Sequence, residues 1–373
     1  MRILHIPNYY FPHIGGIEQT ARDIVKAVGS TEQKVICFNE NNKNVIDEVD
    51  GISVTRCGAV VKIASQSISF SYNKKLKKMF KDFNPNIVIF HYPNPFAAHF
   101  LLKILKRKRN CKLILWWHLD ITKQKLLGKI FKSQTERLLK KAHKIIYTSP
   151  NYLSGSPYLS RYKNKCELIP SCINEERLEL SESIKEKAQI IRKNNLNKTI
   201  CFAVGRHVEY KGYEYLIQAS KKLDDSFKFY IGGKGKLTDS LMSLAKSDTK
   251  IEFLGKLTDD ELKAYMLACD IYCFPSITKN EAFGLALAEA MYFGKPAVTF
   301  TIEGSGVNFV SLNGVTGIEV ENRNSEKYAE AIKFLAENTA ICDSYGRAAK
   351  KRVEDMFTES LFKEKVNSVF QAL

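Results

Sequence analysis

Asp270-Ile-Tyr-Cys-Phe-Pro-Ser-Ile-Thr-Lys-Asn-Glu281-Ala-Phe-Gly-Leu-Ala-Leu-Ala-Glu289-Ala-Met291 is the stretch on which the fold turns. It begins as an apolar, β-favouring run that stops at Pro275, and it ends in strong helix formers. A buried strand followed by a short loop and a helix is the repeating unit of an α/β protein. The helix is expected over residues 282–293. Its opening turn leaves backbone N–H groups unpaired and carries partial positive charge from the helix dipole, which suits an anion. Two carboxylates stand on it, Glu281 at the mouth and Glu289 two turns along. At about 3.6 residues per turn the two return to within roughly 80° of each other. Ala282, Ala286 and Ala290 flank them and let another body come close. An amphipathic helix with two solvated glutamates would read the same way, so the surrounding chain has to decide.

The pattern repeats on both sides of this stretch. Thr199-Ile-Cys-Phe-Ala-Val-Gly205-Arg206 is a strand ending in glycine, followed by Glu209-Tyr-Lys211-Gly212 and a helix over 213–223. Phe227-Lys-Phe-Tyr-Ile-Gly232-Gly233-Lys234-Gly235 is another strand entering a glycine loop. Strands at 251–255, 271–274 and 296–300, with a helix at 259–269, continue a sheet, and Gly304-Ser-Gly306-Val-Asn308 is a further loop after a strand. The remainder reads as helices at 325–337, 341–352 and 359–369. Loops that follow parallel strands open on one edge of the sheet. Here they carry Arg206 with Lys211, Gly232–Gly235, the Glu281–Leu285 helix start and Gly304–Gly306. Two cations with exposed backbone donors suit a diphosphate, and glutamates beside them suit hydroxyl groups. A diphosphate between two polyhydroxylated rings is a sugar nucleotide. No D-x-D, H-E-x-x-H or histidine cluster is present to group carboxylates round a divalent ion. Arg206, Lys211 and the helix start are therefore expected to stabilise the leaving diphosphate without a metal.

The first half follows the same plan. Arg2-Ile-Leu-His-Ile6 is a short strand, then Gly15-Gly16 opens a helix ending at Val28. Strands are expected at 34–38, 52–56, 87–90, 113–117, 144–148 and 167–170. The glycine pair is a phosphate-approach geometry, though without G-x-G-x-x-G it does not specify a dinucleotide. Leu113-Ile-Leu-Trp-Trp-His118-Leu-Asp120 places a histidine and an aspartate just past a strand end. The polar segment 175–198 reads as a connection. The expectation is two doubly wound α/β domains, residues 1–174 and 175–356, with an interdomain cleft between them.

Charge is unevenly distributed. Residues 1–174 hold 29 Lys and Arg against 11 Asp and Glu, a net of +18; the rest holds 28 against 29. The excess argues for a negatively charged partner of the first half. Lys74-Lys-Leu-Lys-Lys-Met-Phe-Lys-Asp-Phe83 sets Leu76, Met79, Phe80 and Phe83 on one helical stripe opposite lysines, and 103–112 and 123–144 add more cations. The stripe fits either an anionic membrane surface or the underlying sheet. No apolar run approaches the ~18–20 residues of a membrane span, and the N-terminus breaks at Pro7 too early for a signal peptide. Nine cysteines without a C-x-x-C pair read as reduced thiols, which implies a cytoplasmic protein.

The ordered set Gly15-Gly16, His118, Gly205-Arg206, Lys211-Gly212 and Glu281-Ala-Phe-Gly-Leu-Ala-Leu-Ala-Glu289 resembles the retaining glycosyltransferases of family 4, over nearly the full length. The resemblance implies the GT-B fold of two Rossmann-like domains. It implies that Glu281 holds the donor sugar hydroxyls and Glu289 the ribose. Backbone N–H groups of Ala282, Phe283, Gly284 and Leu285 would join Arg206 and Lys211 on the diphosphate, beside Gly205 and Gly233. The strand end at 253–257, with Leu257, would pass near the base. Gly15 and Gly16 would approach from the other domain, His118 would sit over the donor sugar, and the helix at 357–373 would return to the first domain. The new bond would keep the donor's anomeric configuration by front-face attack, the leaving phosphate taking the acceptor's proton. Many relatives carry an acidic residue in the loop after the strand ending near Phe300. Ile302-Glu-Gly-Ser-Gly-Val-Asn308 departs from that pattern and resembles enzymes of surface-polysaccharide assembly such as O-antigen, capsule and lipopolysaccharide. The implied partners are a nucleotide-sugar donor, GDP-mannose or a UDP-sugar, and a saccharide or polyprenyl-linked saccharide acceptor. No separate cofactor is expected, and the location is cytoplasmic or peripheral on the inner membrane face.

Other readings differ in testable ways. A nucleotide-sugar epimerase or a phosphorylase would share the fold. A nucleic-acid-binding protein would use the charge, but the basic stretches lack interleaved aromatic platforms. A nicotinamide oxidoreductase would want the missing glycine fingerprint.

Overall fold

The computed structural model describes residues 1–13, 15–29, 31–63, 66–120 and 128–373, and the chain divides into two compact units. One comprises Met1–Thr148, Ser156–Ser171 and Ser360–Leu373, the other Ser149–Gly155 and Cys172–Glu359.

The described strands of the first unit are β1 (Arg2–Ile6), β2 (Glu32–Phe38), β3 (Val45–Val49), β4 (Ile52–Cys57), β5 (Val61–Ile63), β6 (Gln66–Ile68), β7 (Ile87–Tyr92), β8 (Lys112–Trp117), β9 (Lys144–Tyr147) and β10 (Cys166–Leu168). Eight form one sheet in the order β10-β9-β8-β7-β1-β2-β4-β3, and β5 pairs with β6 in a separate hairpin. All pairs in the large sheet are parallel except β3 with β4. β7 is buried at every position, as expected of a parallel strand covered on both faces. β3 escaped the sequence reading because it is a polar, exposed edge. Its signal was the two-residue turn Asp50-Gly51, where both residues take positive φ, 53° and 74°. Helix Glu359–Gln371 enters the first unit from Ser360. Phe362 there lies 5.9 Å from the Trp116 ring, and Asn367 donates to the Ala27 carbonyl at 3.3 Å.

Helix Tyr72–Asp82 settles what its apolar stripe does. Leu76, Phe80 and Phe83 are buried and Met79 half-buried, while Tyr72 stacks on Phe38 of β2 at 4.8 Å. The stripe packs on the sheet and is not available to insert into lipid. Lys74, Lys77, Lys78 and Lys81 remain exposed. Of the cations expected between 123 and 144, Lys123 and Lys125 lie outside the described residues.

The second unit holds β11 (Thr199–Val204), β12 (Phe227–Gly232), β13 (Ile251–Gly255), β14 (Ile271–Phe274), β15 (Ala297–Phe300) and β16 (Gly317–Val320). They form one parallel sheet in the order β13-β12-β11-β14-β15-β16. The chain winds one way from β11 to β13 and then restarts on the other side of β11 with β14. That reversal is a topological switch point, where the loops after β11 and β14 diverge and leave a crevice at the carboxyl edge. The connecting helix Glu182–Lys193 is tied to this sheet: Arg192 forms a two-pronged pair with Asp270 at 2.9 and 2.6 Å, and Asp270 also accepts from the Ile200 N–H at 2.8 Å. No disulfide joins any of the nine cysteines among the described residues. Among the described residues no helix is long and apolar enough to cross a membrane.

Candidate active site

The glycines at the ends of β11, β12 and β13 lace the carboxyl edge together. Gly205 donates to the Gly232 carbonyl at 3.2 Å and Gly233 to the Gly255 carbonyl at 2.6 Å. Gly233 has φ +111°, and a Cβ there would fall 1.9 Å from the Gly205 oxygen, so no side chain fits. Leu257 lies over the end of β12, 2.9 Å from where a Cβ on Gly232 would be. Beyond Gly205, Arg206 is exposed and donates to the Tyr210 hydroxyl at 3.3 Å.

The turn Glu209–Lys211 ends in left-handed Gly212, whose missing Cβ would sit 2.2 Å from the Pro275 carbonyl oxygen. This close approach, with Ile277 N–H donating to Tyr210 at 2.9 Å, seats the loop after β11 directly on the loop after β14. Lys211 is thereby delivered to Glu281. Its Nζ lies 2.5 Å from Glu281 Oε2 and 4.8 Å from the centre of the Phe274 ring, and both charged side chains are largely buried. A largely buried cation and carboxylate of this kind are mutually dependent, because removing one leaves the other desolvated and unpaired.

Glu281 is held from three further sides. Ser276 Oγ donates to its Oε2 at 3.2 Å, its N–H donates to Thr278, and Ser305 Oγ donates to its carbonyl at 2.5 Å. Ser305 is fully buried, and a Cβ on Gly306 would fall 2.1 Å from the Ala282 carbonyl oxygen. The Gly304–Gly306 loop, expected on this edge, buttresses the loop that carries Glu281.

The helix itself corrects an expectation. It spans Leu285–Tyr292, not 282–293, because Gly284 at φ +97° and ψ 64° breaks the helical path before it. Glu281 therefore sits on a loop, and the two glutamates are not related by helical spacing. Leu287 and Ala288 bond back to the Gly284 carbonyl at 3.0 and 3.1 Å. The N–H groups ahead of them belong to the opening turn, which has no earlier helical carbonyl to bind. Phe283 is buried against Phe357 at 5.2 Å, so only its backbone is free to act.

Glu289 has a cation of its own that the sequence did not reveal. Arg177 pairs with Glu289 Oε1 through Nη2 and with Asp259 Oδ1 through Nη1, the latter at 3.1 Å. Burial raises the Glu289 carboxyl above its usual range, against the pull of Arg177. Nothing local marked Arg177, which sits in the charged run Glu175-Glu176-Arg177. Beneath both glutamates lies Tyr272, fully buried. Its hydroxyl is pushed well up by burial and by nearby anionic groups, Glu289 and Glu281 among them.

In the first unit His118 is buried, and its Nε2 lies 2.9 Å from His91 Nδ1 with the rings stacked 5.2 Å apart. Burial drops the His118 pKa to about 3, and burial with the neighbouring histidines drops His91 well below its usual value. Both rings are neutral near pH 7, one donating to the other. His118 thus offers a neutral hydrogen-bonding group, not a cation. Asp120 is engaged by Trp117 Nε1 at 3.0 Å and Ser156 Oγ at 2.9 Å. Gly15 is extended and caps helix Gly16–Val28. Glu18 stands against it, its Oε2 2.3 Å from where a Cβ on Gly15 would be. Among the described residues no group of three His, Cys, Asp or Glu is arranged to hold a metal ion.

Known proteins match both halves of the chain. Residues 14–177 match the family model Glycosyltransferase Family 4 and residues 184–352 match Glycosyl transferases group 1. The chain is 27% identical over 367 residues to the D-rhamnosyltransferase WbpZ of Pseudomonas aeruginosa, covering 96% of this chain and 92% of that one. It is 27% identical over 365 residues to O-antigen chain mannosyltransferase C of Escherichia coli, covering 96% and 95%. Among solved structures, Anabaena Alr3699/HepE in complex with UDP-glucose superposes with a TM-score of 0.80 at 17% identity, covering both chains completely. At that identity the likeness speaks for the fold, two Rossmann-like sheets in the GT-B arrangement.

Proposed function

The chain belongs to the glycosyltransferases whose halves carry the family 4 and group 1 signatures, and from that premise we propose that it transfers a hexosyl unit from a nucleotide-diphospho-sugar to a saccharide acceptor in surface-polysaccharide assembly. The observation that carries this reading is the Lys211–Glu281 pair at the mouth of helix Leu285–Tyr292, beside Arg206, at the switch point of the second sheet. The two relatives named transfer mannosyl and D-rhamnosyl units. Those sugars share the manno ring configuration and differ at C6, which supports a manno-configured donor such as GDP-mannose. The UDP-glucose complex of the structural neighbour keeps a UDP-sugar in view.

In this proposal Arg206, Lys211 and the opening-turn N–H groups of Phe283, Gly284 and Leu285 receive the diphosphate, with Gly205 and Gly233 beneath it. Glu281 accepts hydrogen bonds from sugar hydroxyls, Glu289 from the ribose, and Leu257 borders the base. His118, with Gly15 and Gly16, is assigned to the donor as well, His118 as a neutral hydrogen-bonding group. The acceptor hydroxyl attacks the anomeric carbon on the face the diphosphate leaves. The C–O bond to the diphosphate breaks, and its oxygen takes the acceptor's proton, so configuration is retained. The two cations and helix dipole would stabilise the departing charge, the part a bridging metal plays elsewhere.

Acceptor-dependent release of nucleoside diphosphate is the test. With GDP-mannose or UDP-glucose and a polyprenyl-linked saccharide, GDP or UDP is expected only when both substrates are present, and product NMR should show the donor's anomeric configuration. Epimerised nucleotide sugar without acceptor would overturn the reading in favour of an epimerase.

The lipid-linked acceptor gives the basic first unit a role. Exposed Lys74, Lys77, Lys78 and Lys81, with Phe70 86% exposed beside them, support docking on anionic lipid through charge. Each lysine near such a surface contributes about 1 kcal/mol. Co-sedimentation with anionic vesicles is expected at about 0.1 M salt and its loss at about 0.5 M, with none on neutral vesicles. Binding that ignores salt and lipid charge would end the idea.

A further inference from the structure

The fork of Arg177 does something the donor contacts alone do not explain. Its Nη1 is tied to Asp259 in the first turn of helix Asp259–Ala268, and its Nη2 to Oε1 of Glu289. Its backbone is fixed as well: the Arg177 N–H donates to Asn174 at 2.7 Å, and the neighbouring Leu178 is buried in the core of the second unit. A guanidinium is planar and rigid, so pinning its other arm fixes the direction in which it pulls. One oxygen of Glu289 is thereby held in place, and Oε2 has no protein partner among the described residues. An ionised carboxylate oxygen with free lone pairs accepts from two neighbouring hydroxyls.

We propose that Arg177 is a positioning residue that turns Glu289 into a ribose-diol acceptor and so makes the site select ribonucleotide over deoxyribonucleotide donors. The inference rests on the assignment of Glu289 to the ribose made above. The physical ground is that a site built to bind a hydroxyl rejects an analogue lacking it, because its own buried polar group is then left unpaired. Arg177 also pulls that group toward its ionised form, against the effect of burial. Glu289 is faced by Arg177 from the connecting segment, by Asp259 from its helix and by the neutral Tyr272 phenol from β14. On the packed helix Thr339–Met356, Lys350 stands over the Tyr292 ring, and Glu354 acts on Tyr292, as do Glu175 and Glu179. Without Arg177, burial and Asp259 both favour the protonated carboxyl, so its pKa rises. A protonated Glu289 is a poorer acceptor, and ribose recognition in that variant weakens as pH falls and returns as pH rises.

The experiment is calorimetric titration of the intact chain with GDP and UDP and with their 2′-deoxy counterparts. Wild type is expected to favour the ribonucleotide by about tenfold. Arg177→Gln should lose most of that preference and recover part of it as the pH is raised, while Arg177→Lys should retain part of it throughout. Asp259→Asn leaves the Arg177–Glu289 pair in place but frees the other arm. Because Asp259 is largely exposed, this variant should fold normally and show an intermediate loss. Glu289→Gln separates the two levels of the argument. If Glu289→Gln keeps the preference, or neither diphosphate binds wild type, the ribose assignment itself is overturned. If Glu289→Gln loses the preference while Arg177→Gln and Asp259→Asn keep it at every pH, only the role of Arg177 is overturned.

Discussion

Glu281→Ala lowers the rate of glycosyl transfer by about 10³-fold or more at saturating donor, with the fold retained. The size follows from two losses at one position. On the proposed assignment the sugar hydroxyls lose their acceptor, and Lys211 loses the anion that holds its ammonium 2.5 Å away over the Phe274 ring. Removing a single preorganised electrostatic contact commonly costs about 10²–10³ in turnover, and here a displaced lysine adds to it. Retention of the fold is expected because Glu281 lies on a loop whose path is set by other groups: Ser305 on its carbonyl, Gly306 against Ala282 and Gly212 against Pro275. Some destabilisation should still appear, since Lys211 is left partly buried without its counter-charge. Turnover measured beside circular dichroism and a melting curve checks both halves. Wild-type turnover in this variant would remove Glu281 from the machinery.

Lys211→Ala is the second large effect, a fall in turnover of about 10²–10³. Arg206 remains to share the diphosphate, so the loss should be smaller than for Glu281. Unlike Arg206, which is exposed, Lys211 works from a largely buried position where its charge is weakly screened. The two losses should not add. Glu281→Ala combined with Lys211→Ala should be about as slow as Glu281→Ala alone, because each residue depends on the other for its geometry. Independent, multiplicative effects would mean that the pair seen in the structure is not the working arrangement.

The distribution of these residues shows which parts of the site were readable in the chain. Arg206, Lys211 and Glu281 could be grouped before any coordinates because each follows a strand of one parallel sheet, and such loops share an edge. The departures have equally physical origins. Glycine's freedom at Gly284 made the helix start later than its helix-forming neighbours suggested, which moved Glu281 off it. The small residues of the Gly304–Gly306 loop suit close approach, and part of that property is used on the protein's own Ala282. The stripe of helix Tyr72–Asp82 was equally compatible with lipid and with the sheet, and its burial within the first unit decided against lipid.

What the amino-acid order determined alone was the alternation of buried strands and helices, the unequal charge of the two halves and the set of loops that share one edge of the second sheet. These depend on local periodicity and on residues a few positions apart. Tertiary structure alone decided which charges meet. Arg177 reaches Glu289 across 112 positions and Asp259 across 82, and His91 reaches His118 from the neighbouring strand. Such pairings follow from where the sheet order places strand ends, and a side chain carries no local mark of the partner that a distant turn of the chain will bring to it.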